Sequence, residues 1–285
     1  MKTRILVAAV GIPFLVAVLL APPWAMTLLV AGMCAVGAFE LLRAVAGEAG
    51  KSLMPLTALM AALIPLDIYR SSASPDGGLS AGTSPALPSF LAALAMAFLF
   101  ALFVYAIWRY EKGAPISFST LTAAMFAGLV FPLLLSCLLR LRLMGMLGKL
   151  VVFLPLVIAF GSDTFAYFFG LFFGRHKLAP HVSPKKTIEG AVGGLIGGVI
   201  GILLLEGAAW YATGGLFLSW WQTLLLGLAG SAVSQIGDLS FSVIKREFAV
   251  KDYGTLLPGH GGVLDRFDSV TFVAPFVWFI FSFLR

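Results

Sequence analysis

Nine apolar stretches, most of them long enough to cross a bilayer, leave this chain few ways to fold. They run over approximately 5–21, 24–42, 53–69, 87–108, 118–139, 150–173, 188–210, 216–241 and 268–284. A crossing needs about 20 mainly apolar residues. Inside lipid, every backbone N–H and C=O must find its partner within the protein. An all-α polytopic membrane protein with about nine transmembrane helices is therefore expected. The composition agrees. The chain is 60% hydrophobic with a mean hydropathy of +1.01, which no ordinary soluble domain shows.

Lysine and arginine distribute unevenly between the two faces that nine crossings define. The N-terminal face collects 14 of the 19, and the opposite face collects Arg70, Arg140, Arg142, Lys149 and Arg285. Because cytoplasmic loops are enriched in basic residues, the N-terminus is expected in the cytoplasm and the C-terminus on the outer face. The net charge of +6 follows from this bias, and no basic patch interleaved with exposed aromatics points to nucleic acid. Lys2 and Arg4 before an apolar run imitate a signal peptide. However, Pro22-Pro23 and a second apolar stretch follow directly, so the run is expected to be a retained helix. Cys34 and Cys137 have no metal-ligand spacing and are expected to pack as small apolar residues.

The chain divides by chemistry. Residues 1–145 read as scaffold, or as a surface facing lipid or a second copy. Their charges, such as Arg43, Glu48, Lys51, Arg109, Glu111 and Lys112, sit at helix ends as interfacial anchors. Ser71–Pro88, rich in Ser, Gly, Pro and Ala, reads as a flexible connection. Residues 146–285 read as the catalytic region. They carry two polar loops, 174–188 and 245–267, which the count of crossings assigns to the same cytoplasmic face.

Five features mark this second region, and most of them suit a phosphate-rich, metal-bound substrate. The eighth stretch has Ser231, Gln235, Asp238, Ser242 and Lys245 at spacings of four and three, one helix face. An intramembrane carboxylate such as Asp238 is costly and marks a wet or functional surface. The sixth stretch has a similar line in Asp163, Tyr167, Gly170 and Gly174. The loop between reads Ser183-Pro-Lys-Lys-Thr-Ile-Glu189. Ser183 and Pro184 suit an N-cap and first helical position, and the exposed N–H groups with Lys185, Lys186, Thr187 and Glu189 would make a phosphate site. The seventh stretch carries Gly190, Gly194, Gly197 and Gly201, spacings for close helix packing or a homodimer face.

The last feature is the segment from Ser242 to Asp268. Its glycines, Gly261 and Gly262 among them, can take positive φ and bring backbone N–H groups to a ligand. Mg²⁺ is usually held by one or two carboxylates together with substrate phosphates and water, and Asp238 with Asp265 would supply that pair. Lys245, Arg246, Lys251 and Arg266 would balance phosphate charge. Asp252 and Asp268 complete the polar set, with Asp268 also suited to a helix N-terminus. His260 serves either to orient a phosphate or to move a proton.

The segment fits S-x-x-K-R-x4-K-D-x-G-x2-L-P-x-H-G-G-x2-D-R-x-D. It resembles the phosphatidate cytidylyltransferase (CDP-diacylglycerol synthase) family, as do His176–Gly190 and Gly237-Asp238-Leu239. Phe241 stands where many members carry Glu, and Ile188 where an aromatic residue is frequent. The resemblance implies transfer of CMP from CTP to phosphatidate, with release of pyrophosphate. It implies a Mg²⁺-dependent centre with Asp238 and Asp265 as metal ligands, a second cation being an option. It also implies a multi-pass protein of a bacterial inner membrane with its site facing the cytoplasm. The alternatives are a CTP-dependent lipid kinase and an ion-coupled transporter using Asp163 and Asp238.

Overall fold

The computed structural model describes residues 2–72, 89–256 and 261–283. Most of the connection expected over Ser71–Pro88, and the segment containing His260, lie outside the described residues. In chain order the helices are α1 (Lys2–Leu20), α2 (Pro23–Ala46), α3 (Met54–Ser72), α4 (Ser89–Glu111), α5 (Phe118–Met125), α6 (Phe131–Leu135), α7 (Cys137–Arg142), α8 (Gly148–Val151) and α9 (Leu154–Phe173). A hairpin of β1 (Lys177–Ala179) and β2 (Ser183–Thr187) precedes α10 (Ile188–Thr213), α11 (Trp220–Glu247) and α12 (Leu264–Phe283). Seven helical segments among the described residues are long and apolar enough to cross a membrane. The chain is an all-α polytopic membrane protein apart from one small hairpin.

The residues form two compact units, Met1–Met146 with Phe248–Phe267, and Leu147–Glu247 with Asp268–Arg285. The first unit is built around a core that includes Leu42, Leu53, Ile64, Leu102 and Leu139. Pro23 starts α2, where its missing N–H costs nothing. Ser117 caps α5 by accepting the Thr120 N–H at 3.1 Å. The next stretch carries a π-helical turn, Phe126–Val130, just before Pro132, which cannot donate to the carbonyl four residues back. Arg142 is buried and donates from Nε to Leu19 O and from Nη2 to Ala21 O, both at 2.9 Å. Cys34 and Cys137 are free and buried, as expected.

The second unit depends on glycine. A Cβ on Gly161 would lie 2.6 Å from the Gly197 carbonyl oxygen, and one on Gly190 would lie 2.7 Å from that of Ala166. The α9 and α10 backbones therefore touch, which only glycine permits. On another side of α10, a Cβ on Gly198 would meet Gly227 O of α11 at 2.7 Å. Ser231 ties all three helices, donating to Gly194 O at 2.8 Å and sharing a 2.7 Å hydroxyl–hydroxyl hydrogen bond with Ser162 Oγ. Glu206 is buried and folds the α10–α11 connection by accepting the Leu218 N–H at 3.0 Å.

Three expectations need correction. Ser183 is not an N-cap. It opens β2, antiparallel to β1, and the cap is Thr187, whose hydroxyl accepts the Gly190 N–H at 3.1 Å. Extended backbone suits the residue before Pro184, and Thr187 can act both as strand end and as cap. The loop expected at 245–267 is shorter, since α11 runs on to Glu247 and α12 begins at Leu264. The polar stripe through Ser242 and Lys245 simply continues the helix. Residues 248–267, expected as part of the second half, pack with the first unit.

Candidate active site

In the second unit a cavity of about 430 Å³ lies between α9, α10, α11 and the hairpin. Asp163, Tyr167, Gly170 and Leu171 line it from α9, and Gln235 and Asp238 from α11. Lys185, Lys186 and Thr187 reach it from β2. Lys186 Nζ pairs with Asp238 Oδ2, each side chain about a quarter exposed. Ser242 donates to Asp238 Oδ1 at 3.4 Å. Gln235 Nε2 donates to Ala191 O at 3.0 Å, which fixes the α11 stripe against α10. Ser231 thus packs helices, while Gln235 and Asp238 line the cavity.

The hairpin is held at both ends. At its base Glu189 accepts the Arg175 N–H at 3.0 Å and meets His176 Nδ1 at 2.6 Å. Its carboxylate is engaged by the hairpin. At its tip Val182 O accepts from Arg246 Nε at 3.0 Å. Gly170 and Gly190 leave room for the Thr187 hydroxyl, since a Cβ on either would lie within 3.0 Å of it. These contacts present Lys185 and Lys186 to the cavity on short, braced backbone rather than on a free loop.

Asp268 is buried, and the charges acting on it are those of Asp238, Lys245 and Asp163. The second unit therefore gathers three carboxylates and several cations in one neighbourhood. No group of three or more side chains with metal-binding spacing occurs among the described residues. Asp238, which lines the cavity, and the buried Asp268 nonetheless make a carboxylate pair of the kind that suits Mg²⁺, which keeps waters and substrate phosphates in its shell.

The remaining residues belong to the first unit. Asp265 is buried, and its Oδ2 accepts the Tyr253 N–H at 2.8 Å and the Gly262 N–H at 3.0 Å. Gly261 has φ of +85°, the positive value expected of it. Arg266 is exposed, and Lys251 and Asp252 border a separate cavity with Arg43. Sequence reasoning missed Glu40 of α2. It is buried and accepts the Val263 N–H at 3.2 Å and the Leu264 N–H at 2.9 Å. The signal was a lone carboxylate inside an apolar stretch, which carries a functional hypothesis by default.

With this geometry in view, the chain belongs to the Cytidylyltransferase family, whose sequence model matches residues 2–284. Among individual relatives, it is 36% identical over 167 residues to the phosphatidate cytidylyltransferase of Bacillus subtilis (strain 168), covering 59% of this chain and 58% of that protein. It is 41% identical over 128 residues to that of Staphylococcus epidermidis (strain ATCC 35984), covering 45% and 47%. To that of Synechocystis sp. it is 42% identical over 138 residues, covering 46% and 43%. The chain spans about half the length of the curated relatives it matches.

Proposed function

We propose that this protein transfers CMP from CTP to phosphatidate, forming CDP-diacylglycerol and pyrophosphate at the cytoplasmic face of a bacterial inner membrane. The observation that carries the reading is the Lys186–Asp238 pair in a cavity bordered by apolar helices. Cations there suit phosphates, carboxylates suit a metal, and the helices suit a lipid substrate. The cavity's volume lies within the ~300–1,000 Å³ usual for small-molecule sites.

In the reaction, a phosphate oxygen of phosphatidate attacks the α-phosphorus of CTP. The bond from that phosphorus to the bridging oxygen breaks, and pyrophosphate leaves. The nucleophile is already an anion, so no strong base is needed. The difficulty is bringing two anions together and holding them in line. Lys185 and Lys186 offset that repulsion from the hairpin, and Lys245 from α11. Asp238 and Asp268 would hold Mg²⁺, which neutralises charge on the phosphates when bound. Asp265 shapes the loop before α12, and substitution of it by Asn tests whether it serves the metal as well. Nine crossings, with the N-terminus in the cytoplasm, agree with the bias of lysine and arginine.

The test supplies the purified chain with labelled CTP, phosphatidate and Mg²⁺. Pyrophosphate and a CMP-linked lipid are expected together. Release of CDP with a phosphorylated lipid would mean a kinase, and no nucleotide turnover at all would reject the reading.

A further inference from the structure

The first unit's helices carry a residue that the transfer chemistry does not touch directly but that shapes the segment beside it. Glu40 is placed in α2, in the half of the chain expected to be scaffold. Both its carboxylate oxygens are used: Oε1 accepts the Val263 N–H at 3.2 Å and Oε2 the Leu264 N–H at 2.9 Å. These are orphan donors at the start of α12, which has no intrahelical acceptor for them. A carboxylate there also faces the positive end of the helix dipole.

Two glycines agree with this arrangement. A Cβ added at Gly254 or at Gly262 would collide with the Glu40 carboxyl group. Both glycines lie in the segment between α11 and α12, on opposite sides of the residues 257–260. Their lack of a side chain makes the seat into which Glu40 inserts. Asp265 completes the fold of the same segment from within by accepting the Tyr253 and Gly262 N–H groups. Residues 253–254 and 262–264 thus meet two carboxylates, Asp265 and the Glu40 delivered by α2.

We infer that Glu40 is a positioning residue for the transfer reaction: it fixes the entry into α12, and with it Asp265 and Arg266. The inference rests on the proposed function. A neutral amide at this position offers one acceptor and two donors where two acceptors are required, so Glu40→Gln is the informative substitution. Asp67→Asn is the control, since Asp67 is equally buried in the same unit but pairs with Arg70.

The experiment uses the full chain in detergent, with wild type, Glu40→Gln, Gly262→Ala and Asp67→Asn compared. It measures kcat and KM for CTP and phosphatidate, and hydrogen exchange of peptides covering 253–264. Glu40→Gln and Gly262→Ala are expected to lower kcat at least tenfold, with KM changed less than threefold, and to speed exchange in that segment. Asp67→Asn is expected to leave kcat and the segment's exchange unchanged. Wild-type kcat with wild-type exchange in Glu40→Gln would overturn the inference. So would an equal loss in Asp67→Asn, which would mean a general weakening of the unit. If the wild type itself makes no CMP-lipid, the proposed function fails, and unchanged exchange in Glu40→Gln would still reject the positioning role by itself.

Discussion

Two glycines of one helix should respond to alanine with opposite signs. At Gly198 an added Cβ would sit 2.7 Å from Gly227 O and 2.8 Å from Ser231 Cβ. Ordinary contact begins at 3.4 Å, so α10 and α11 must separate by 3.4 − 2.7 = 0.7 Å. Overpacking of this kind costs about 1–3 kcal/mol. The shift also stretches the hydrogen bond from Ser231 to Gly194 O, which spans α10 and α11 and is worth roughly 0.6 kcal/mol between membrane helices. Alanine returns about 1 kcal/mol of helix propensity. The net expectation for Gly198→Ala is destabilisation by roughly 1–3 kcal/mol. At Gly207, nothing lies within 4 Å of the added Cβ. Only the propensity remains, and Gly207→Ala should stabilise by up to about 1 kcal/mol. Reversible unfolding in mixed micelles with rising SDS, followed by circular dichroism, measures both. A Gly198→Ala protein that unfolds at or above the wild-type midpoint would refute the close-packing argument.

Three further outcomes are expected at the candidate site. Lys186→Met removes a cation from the cavity, and kcat/KM for CTP should fall about 10- to 150-fold, the scale of a lost charged hydrogen bond of ~1.5–3 kcal/mol. Asp268→Asn keeps the shape of a buried carboxyl but not its charge. Turnover should drop by roughly 10²-fold or more, with the thermal midpoint near wild type and no recovery on raising Mg²⁺. Thr187→Val deletes the α10 cap, and the unfolding free energy should fall by about 1 kcal/mol, read in the same micelle titration.

The helical segments were legible because apolar length is a strong signal, and the α9 and α11 stripes were legible from spacing alone. Asp163, Tyr167, Gln235 and Asp238 do line one cavity, as their helix faces implied. The start of α10 was misread because Ser-Pro is ambiguous. It opens a helix or a strand depending on what pairs with it, and the partner strand β1 is only three residues long. Glu189, expected at the phosphate site, also accepts the Arg175 N–H and meets His176 Nδ1, a local contact that spacing does not reveal. Glu40 showed as a lone carboxylate in an apolar stretch, but what it binds was not legible, for a different reason. Its partners, Val263 and Leu264, lie 223 and 224 residues away, and no periodicity links positions that distant.

That separation sets a clock on biosynthesis. The second unit's main segment, Leu147–Glu247, interrupts the first in sequence. A ribosome that has delivered Glu40 must therefore translate 223 more residues before Val263 exists. At about 5–20 residues per second this takes roughly 10–45 s. During that interval α2 sits in the bilayer with a carboxylate lacking its native donors. The nascent protein has to tolerate this with water, with a proton, or with help from the insertion machinery. The last acts of synthesis, not the first, then seal the part of the molecule that is made first.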